Sequence, residues 1–284
     1  MTDSLDVLRY SAFAATPEGG NPAGVVLDAL DLMDAEMQRI AAEVGYSETA
    51  FLVGRTDDDG DVRYRARYWS PAAEVPFCGH ATVAAAVALA ERDGPGDVVF
   101  DTRAGEVTLR STSDAGGAVT VSFTSVEPAM RELDPAILDR LLGLLGVTRA
   151  DLDPRFPAKE AFAGNWHPVV VIADRELFDQ FRFSPIEVAA LMREQGWLGT
   201  VTVLHAPADI DLDARNLFPV GRITEDPATG SAAASVGAYL RDLDHPETTV
   251  RIHQGAHVRR PSILTVTIPP TGGIEVSGGA TRIA

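Results

Sequence analysis

Cysteine is nearly absent from this chain of 284 residues, in which Cys78 is the single example. One thiol cannot form an intrachain disulfide, and it cannot build a zinc site that needs two or more cysteine thiolates. Lysine is equally rare, since Lys159 stands against 23 arginines. A lysine-bound coenzyme could use that residue alone, and its surroundings, from Pro157 to Glu160, predict an exposed loop.

Basic residues are outnumbered, because 41 acidic and 24 basic side chains give a formal charge of -17. This charge repels phosphate backbones and anionic membrane surfaces, so no nucleic-acid partner is expected. No apolar stretch approaches the roughly 18 residues of a membrane span, and the N-terminal residues lack the basic and apolar regions of a signal peptide. We therefore expect a cytoplasmic protein without a membrane partner.

An internal repeat is the most informative feature of the sequence. The matching residues are Ala66-Arg67 and Pro71 with Ala214-Arg215 and Pro219, at an offset of 148, and Gly20-Asn21 with Gly164-Asn165, at an offset of 144. Both blocks occur in the same order in the two halves. A repeated half predicts two similar structural units, with a site built from both copies.

Each half combines strand patterns with few long helices. Amphipathic helices are predicted near Asp31–Glu43, Pro135–Leu145 and Ile186–Gln195, and a domain junction near Val126–Asp134. Two further segments, Ala81–Ala90 and Ala228–Leu240, contain mostly small and apolar residues and have no polar face. Such a helix is typical of one that protein surrounds on all sides. The sequence therefore predicts an α+β fold with a buried helix wrapped by a sheet in each half.

The two buried helices have similar openings, Pro76-Phe-Cys-Gly-His-Ala-Thr82 and Glu225-Asp-Pro-Ala-Thr-Gly-Ser231. Free N–H groups at a helix start bind anions, and Gly79 and Gly230 leave room for a carboxylate to approach. In the register of 148 residues, Cys78 falls opposite Asp226.

Other interpretations of these residues remain open. Asp226 and Pro227 could simply cap the second helix, His80 could be a hydrogen-bonded core histidine, and Cys78 a small buried apolar residue. Glu48, which lies between a helix end at Gly45 and an apolar strand, could be a surface carboxylate.

Five motifs stand in one order along the chain: Gly20-Asn-Pro-Ala-Gly24, Ser47-Glu-Thr-Ala-Phe51, Phe77-Cys-Gly-His-Ala-Thr82, Glu225-Asp-Pro-Ala-Thr-Gly-Ser231, and Gln254-Gly255 with Arg260-Pro-Ser262. Together they resemble the PhzF-like phenazine-biosynthesis isomerase family. The resemblance implies a diaminopimelate-epimerase-type fold with two pseudo-symmetric halves, each a curled, mostly antiparallel sheet or barrel around a central helix. We expect the halves at residues 1–128 and 129–284, with a strand near 274–284 returning to the first, and an active site in the cleft between them.

The resemblance also implies roles for single residues. Glu48 is the expected general acid/base, with His80 and Asp226 as substrate-binding and proton-relay groups. The expected contacts to substrate are Gly79, Gly230, Ser231, Asn21 and Ser47. One glutamate that removes a proton and returns it to another carbon needs neither metal nor coenzyme. We expect a homodimer that acts on a small carboxylate, similar to the dihydro-hydroxyanthranilate isomerase of phenazine biosynthesis. One departure is Arg259, where the family commonly has a glycine.

Three alternatives remain open at this point. The related racemases use two opposed thiols, so a two-base variant could use Cys78 and Asp226 on an amino or hydroxy acid. The chain could also be a non-catalytic metabolite-binding or interaction protein that keeps the fold. A metal hydrolase is disfavoured, because His253 and His257 have ligand spacing but lie in a strand-and-loop stretch without a nearby glutamate base.

Overall fold

The protein is described by a computed structural model that covers residues 6–58, 61–208 and 210–284. The chain forms two compact units. The first extends to Thr124 and also includes Ser277–Ala284, and the second is Ser125–Val276. In the described ranges, no helix is both long and apolar enough to cross a membrane.

Strands outnumber helices in both units. The strands are β1 Leu8–Ala12, β2 Asn21–Val26, β3 Glu48–Asp58, β4 Asp61–Trp69, β5 Glu74–Val75, β6 Asp97–Thr102, β7 Gly105–Ser113, β8 Val119–Thr124, β9 Ala129–Glu132, β10 Lys159–Phe162, β11 Trp166–Val171, β12 Val201–His205, β13 Asp211–Leu217, β14 Glu225–Asp226, β15 Thr249–Gln254, β16 Ser262–Thr267 and β17 Glu275–Arg282. The helices are α1 Asp34–Val44, α2 Gly79–Asp93, α3 Pro135–Leu145, α4 Arg175–Gln180, α5 Pro185–Gln195 and α6 Gly230–Asp242.

Eight strands of the first unit close into a barrel. In the order β1-β2-β3-β4-β6-β7-β8-β17, each strand pairs with the next, and β17 pairs with β1. The pairs β2–β3 and β4–β6 are parallel, whereas β1–β2, β3–β4, β6–β7, β7–β8 and β1–β17 are antiparallel. The short strand β5 pairs with the end of β4.

Helix α2 lies inside this barrel. Every residue from His80 to Ala90 is buried, and the helix packs against β1, β2, β3, β7 and β8. A barrel of eight strands leaves an interior that side chains just fill. Alanine and valine therefore line this helix, because larger side chains would push the strands apart. The amphipathic helix α1 instead covers the outside of the sheet, where Met37 and Ile40 pack against Phe51 and Trp69.

The second unit repeats this arrangement around α6. Its strands pair in the order β9-β10-β11-β12-β13-β15-β16, with β14 on the end of β13. The parallel pairs, β11–β12 and β13–β15, occupy the positions of β2–β3 and β4–β6 in the first unit. A Cβ atom on Gly237 of α6 would come within 2.7 Å of Ile274 and Val266. The sheet thus approaches the backbone of α6, which explains a glycine inside a helix.

The structure corrects the register of the repeat at the buried helices. Strands β4 and β13 do match at the predicted offset of 148. Arg67 of β4 pairs with the neighbouring strand β3, and Arg215 of β13 pairs in the same way with β12. Beyond these strands, β5 and β14, and then α2 and α6, begin 151 residues apart. The connection after β13 is longer because it contains a 3₁₀ turn, Pro219–Gly221. The residue that corresponds to Cys78 is therefore Thr229, and the predicted pairing of Cys78 with Asp226 is wrong.

The structure also excludes one of the open alternatives and corrects one local prediction. Asp226 does not cap α6, because it lies in β14, and the N-cap of α6 is Thr229. Lys159 does not lie in an exposed loop, since it is the first residue of β10 and its ammonium group contacts Asp242 at 2.7 Å and Glu132 at 3.3 Å.

Candidate active site

Glu48 is the first residue of β3, at the point where the chain leaves Ser47 and joins the barrel. It pairs with Ala23 of the parallel strand β2. Its neighbour Thr49 is fully buried, whereas the side chain of Glu48 retains 21% of its exposure. The barrel therefore fixes the Glu48 backbone but leaves the carboxylate accessible to a small molecule.

The opening of α2 brings two side chains to this carboxylate. Cys78 is the N-cap of α2, and His80 lies in its first turn. The Cys78 Sγ atom lies 3.5 Å from Glu48 Oε2, and His80 Nε2 lies 3.4 Å from the same oxygen. The Cys78 thiol also lies 3.4 Å from His80 Nδ1. A thiol, an imidazole and a carboxylate therefore form one cluster within the first unit.

Two further predicted residues hold the imidazole of His80. Asn21 Nδ2 lies 3.2 Å from His80 Nδ1, and Ser47 Oγ lies 3.4 Å from His80 Nε2. An amide NH₂ group can only donate, so Nδ1 accepts from Asn21, and the proton of a neutral His80 is on Nε2. Nε2 lies 3.4 Å from both Ser47 Oγ and Glu48 Oε2. The structure thus brings Glu48, His80, Asn21 and Ser47 together in one cluster.

Glu48 differs in its partners from three glutamates that are more deeply buried. Three glutamate side chains that are at most 9% exposed each form an ion pair with an arginine. These pairs are Glu74 with Arg67, Glu160 with Arg131, and Glu225 with Arg215. In the part of the chain that the structure describes, neither arginine nor lysine forms an ion pair with Glu48. Glu48 therefore lacks the strong ion pair that the other three glutamates form.

In the second unit, Asp226 takes part in a compact hydrogen-bond network. The hydroxyl of Thr229 donates to Asp226 Oδ2 at 2.5 Å and accepts from Gln254 Nε2 at 2.9 Å. Gln254 also donates to the Asp226 carbonyl at 2.7 Å and accepts from the Thr229 amide at 3.2 Å. Thr229 and Gln254 belong to the recognised motifs, but no pattern in the sequence assigned them this contact.

The turn after Gln254 supports this network. Gly255 has a φ of 80°, and a Cβ atom there would lie 2.3 Å from the Arg260 carbonyl and 2.5 Å from the Pro227 carbonyl. Glycine is therefore required by both conformation and space. Arg259, the departure from the family pattern, has a φ of 59° in the left-handed region. The turn thus keeps a conformation that favours glycine.

Ser231 lies in the first turn of α6, one residue after Gly230, and its hydroxyl has a partner that sequence analysis missed. His167 Nε2 lies 3.2 Å from Ser231 Oγ. His167 is fully buried in β11, and this burial lowers its pKa to about 4. Because 64 residues separate His167 from Ser231, no local motif indicated the contact.

The two units carry different residues at the position of Glu48. Strands β2 and β11 match at an offset of 144, and the pairing of Val25 with Ala50 corresponds to that of Val169 with Thr202. Extending this register places Thr200 at the position of Glu48. A threonine hydroxyl cannot exchange a proton with a C–H group near neutral pH, so the second unit lacks an equivalent carboxylate base.

One cluster in the described ranges has the ligand types of a metal site. The ligand atoms of Glu48, Cys78 and His80 all lie within 4.8 Å of one another, and zinc accepts all three residue types. By contrast, His253 and His257 contact different carboxylates, Asp211 at 3.0 Å and Asp179 at 3.4 Å. A metal at the first cluster would use the Glu48 carboxylate as a ligand.

Comparisons with known proteins agree with this architecture. A family model described as phenazine biosynthesis-like protein matches residues 10–284. The uncharacterized isomerase YddE of Escherichia coli strain K12 is 35% identical over 274 residues, which cover 92% of this chain and 89% of that protein. A relative that is named as an isomerase supports an isomerase or epimerase type of function.

Solved structures share the fold. The crystal structure of the Bacillus anthracis phenazine biosynthesis protein of the PhzF family has a TM-score of 0.82 and 25% identity, and the match covers 98% of this chain and 96% of that one. A probable proline racemase from Agrobacterium radiobacter K84 has a TM-score of 0.62 at 13% identity, with 98% and 92% covered, which shows the fold alone. The predicted fold class is confirmed.

Proposed function

Because the chain belongs to the phenazine biosynthesis-like protein family, we propose that it is a cofactor-independent isomerase that moves a proton within a small cyclic or unsaturated carboxylic acid. Glu48 is the general acid/base. The groups around Glu48 in the first unit carry the proton transfer.

The observation that carries this proposal is the unusual environment of Glu48. Its carboxylate is partly exposed, and its neighbours are a thiol and an imidazole rather than a guanidinium. A carboxylate that must take up and release a proton in each turnover cannot be fixed in its ionised form by a strong ion pair. Glu48 forms no such ion pair, whereas Glu74, Glu160 and Glu225 each form one with an arginine.

The proton transfer balances within one substrate molecule. Glu48 removes a proton from one carbon, the electron pair of that C–H bond moves into the π system, and the double bond shifts. The protonated Glu48 then returns the proton to another carbon on the same face. His80, whose Nε2 lies 3.4 Å from Glu48 Oε2, stabilises the ionised carboxylate before the first step and after the second.

In the second unit, we assign the binding of the substrate carboxylate to Ser231 and the free N–H groups at Gly230. The equivalent N–H groups at Gly79 serve the substrate in the first unit. Helix starts carry a positive dipole end and unpaired N–H groups, which favour an anion. Asp226 accepts from Thr229, and we assign its carboxylate to a polar group of the substrate.

A two-base racemase that uses Cys78 and Asp226 remains the alternative enzyme. That alternative assumes that Cys78 and Asp226 occupy matching positions in the two units. In the corrected register Thr229 corresponds to Cys78, and a hydroxyl is a much weaker base than a thiolate. Deuterium incorporation at a stereocentre with loss of optical activity would identify such a racemase.

The proposal is tested by conversion of trans-2,3-dihydro-3-hydroxyanthranilate in deuterated water, followed by NMR. Wild-type protein is compared with Glu48→Gln and with Glu43→Gln, which changes a 64% exposed glutamate of α1 in the same unit. We expect conversion by the wild type and by Glu43→Gln, but not by Glu48→Gln.

The outcomes separate the substrate from the mechanism. Conversion by all three proteins contradicts the role of Glu48. If no protein converts this compound, the phenazine-type substrate is wrong, and a screen of small carboxylic acids replaces it. A protein that binds such acids but exchanges no C–H proton in any of them is a binding protein rather than an isomerase.

A further inference from the structure

Gln254 belongs to a motif to which the proposed proton transfer gives no role. It is the last residue of β15, and it is buried. Its side-chain amide makes three hydrogen bonds to the segment from Asp226 to Thr229, which connects β14 to α6. Two of these bonds reach backbone groups at the two ends of the segment, and the third reaches the Thr229 hydroxyl. Gln254 therefore bridges the connection between the short strand and the buried helix.

The two backbone contacts determine the orientation of this amide. The Thr229 N–H donates to Gln254 Oε1 at 3.2 Å, and Gln254 Nε2 donates to the Asp226 carbonyl at 2.7 Å. A backbone N–H can only donate, and a backbone carbonyl can only accept. If the amide were turned over, two donors would meet at Thr229 and two acceptors at Asp226. Only one orientation of the amide satisfies both backbone groups.

This orientation assigns the proton of the Thr229 hydroxyl. Gln254 Nε2 lies 2.9 Å from Thr229 Oγ1, and an amide NH₂ group can only donate, so the hydroxyl oxygen accepts this bond. In the described part of the chain, the acceptor that remains for the hydroxyl proton is Asp226 Oδ2, at 2.5 Å. A hydrogen bond donated to a carboxylate favours its ionised form.

The Thr229 hydroxyl is used in an unusual way for its place in the helix. Thr229 is the N-cap of α6, and an N-cap threonine commonly accepts a hydrogen bond from an N–H group of the first turn. Here the side chain makes no capping bond. The hydroxyl therefore interacts with Asp226 and Gln254 instead of with the helix.

The first unit builds the same connection without these polar groups. Strands β5 and β14 pair with β4 and β13 in the same register, which places Val75 at the position of Asp226. Cys78, the N-cap of α2, stands at the position of Thr229. A turn of this shape thus forms without a carboxylate and without a hydroxyl.

The bridging glutamine is also confined to the second unit. The parallel pairs β4–β6 and β13–β15 have the same register, and extending the first pair by one residue places Thr102 at the position of Gln254. The Thr102 hydroxyl donates to the Gly105 carbonyl, at 2.6 Å, within its own turn. The fold therefore does not require the bridge, which occurs in the unit that carries Asp226.

We propose that Gln254 is a positioning residue that acts through Thr229 to hold the Asp226 carboxylate ionised and oriented as a hydrogen-bond acceptor for the substrate. This inference rests on the proposed function, since that function assigns Asp226 to a polar group of the substrate. It also gives a role to the Gln254-Gly255 motif, because the glycine allows the chain to turn directly after the bridging residue.

The test follows the carboxyl ¹³C shift of Asp226 against pH in protein without substrate, with the signal assigned by its loss in Asp226→Asn. In Thr229→Val, which removes the hydroxyl, we expect the titration midpoint to rise by about one pH unit, the value of one hydrogen bond to a charged group. Thr229→Ser keeps the hydroxyl and should restore the midpoint of the wild type. In Gln254→Met, which keeps the length of the side chain but removes its amide, we expect a rise of at least about half a pH unit.

Two further variants distinguish positioning from structural support. Gln180→Met changes an exposed glutamine of α4 in the same unit and should leave the midpoint unchanged. If Gln254 acts through Thr229, the double variant Gln254→Met/Thr229→Val shifts the midpoint no further than Thr229→Val alone. A loss of stability does not by itself move this midpoint, because the titration is read in folded protein.

Three results would overturn the inference: an unchanged midpoint in Gln254→Met, an equal additional shift from Gln254→Met in the double variant, or no rise in Thr229→Val. The last of these decides the matter even if Gln254→Met does not fold. None of the measurements requires substrate or turnover. A failure of the proposed isomerase activity is therefore recognised separately from a failure of this inference.

Discussion

The Sγ atom of Cys78 lies 3.5 Å from Oε2 of Glu48, and the thiol belongs to the same cluster as His80. This contact is compatible with two roles for the thiol. In the proposed isomerase it is a neighbour that donates weakly to the carboxylate, whereas in a two-base racemase it exchanges the substrate proton itself. The two roles predict different effects of removing the sulfur atom.

We expect Cys78→Ala and Cys78→Ser to keep most of the activity, with kcat reduced by less than about tenfold, because one weak hydrogen bond to Glu48 is lost or replaced. Turnover of a substrate that the wild type converts is the measurement. A loss in Cys78→Ala as large as that in Glu48→Gln would favour the two-base alternative.

Metal ions provide a second test, because Glu48 cannot both bind a metal and transfer a proton. Zinc would use Glu48, Cys78 and His80 as ligands. We therefore expect dialysis against EDTA to leave kcat unchanged and added Zn²⁺ to inhibit. Cys78→Ala should weaken this inhibition, since it removes one ligand. Activity that is lost with EDTA and restored by Zn²⁺ would show that the cluster is a metal site.

The sequence predicted the two buried helices well, because no other structure suits a run of small residues without a polar face. The bounds of α3 were also predicted, since Asp134 caps its start, Pro135 opens it and Gly146 ends it. Glu48, His80, Asn21 and Ser47 could be grouped through motifs alone. Their distances could not be predicted, since these depend on the pairing of β2 with β3 and on the position of α2 in the barrel.

The wrong and missed predictions all concern features that depend on the length of a connection or on contacts formed only in the folded chain. An ungapped register could not reveal the longer connection that follows β13, so it paired Cys78 with Asp226 instead of Thr229. The proline after Asp226 suggested a helix start, although Asp226 pairs with Asn216 in β14. His167 was missed because its partners, Thr200 and Ser231, are distant in sequence and meet it only in the folded sheet.

Gly255 should be far less tolerant of substitution than a glycine with similar backbone angles elsewhere. Gly255→Ala faces both a positive φ and two carbonyls within 2.5 Å, so we expect a loss of roughly 3 kcal/mol or more in the free energy of unfolding. Gly272→Ala is the matched control, because its φ is 78° and nothing lies within 4 Å of the new Cβ. There the loss should be about 1 kcal/mol. Equal losses in denaturant unfolding would contradict the close approach at Gly255.

The buried ring of His167 predicts a pH dependence of stability. Its pKa is about 4 in the folded protein, against 6.5 for an unperturbed histidine. Between these values the unfolded chain binds a proton that the folded chain does not, so the free energy of unfolding falls as the pH drops. A difference of this size corresponds to about 3 kcal/mol in total.

We therefore expect the unfolding free energy of His167→Gln to vary less steeply between pH 6.5 and pH 4 than that of the wild type. His167→Phe should show the same shallower slope even if its absolute stability differs, because neither variant has a titrating group at this position. Curves that run parallel to the wild type would show that residue 167 does not remain neutral in the folded protein.

The central claim is that the carboxylate of Glu48 transfers the proton, and kcat of Glu48→Gln tests it most directly. Glutamine keeps the size of glutamate and one acceptor oxygen but cannot take up the proton. With a carboxylic acid that the wild type isomerises, we predict a kcat at least about 10³-fold lower in Glu48→Gln, with unchanged unfolding and with normal turnover in Glu43→Gln. A Glu48→Gln protein that isomerises the same acid at the wild-type rate would contradict the account.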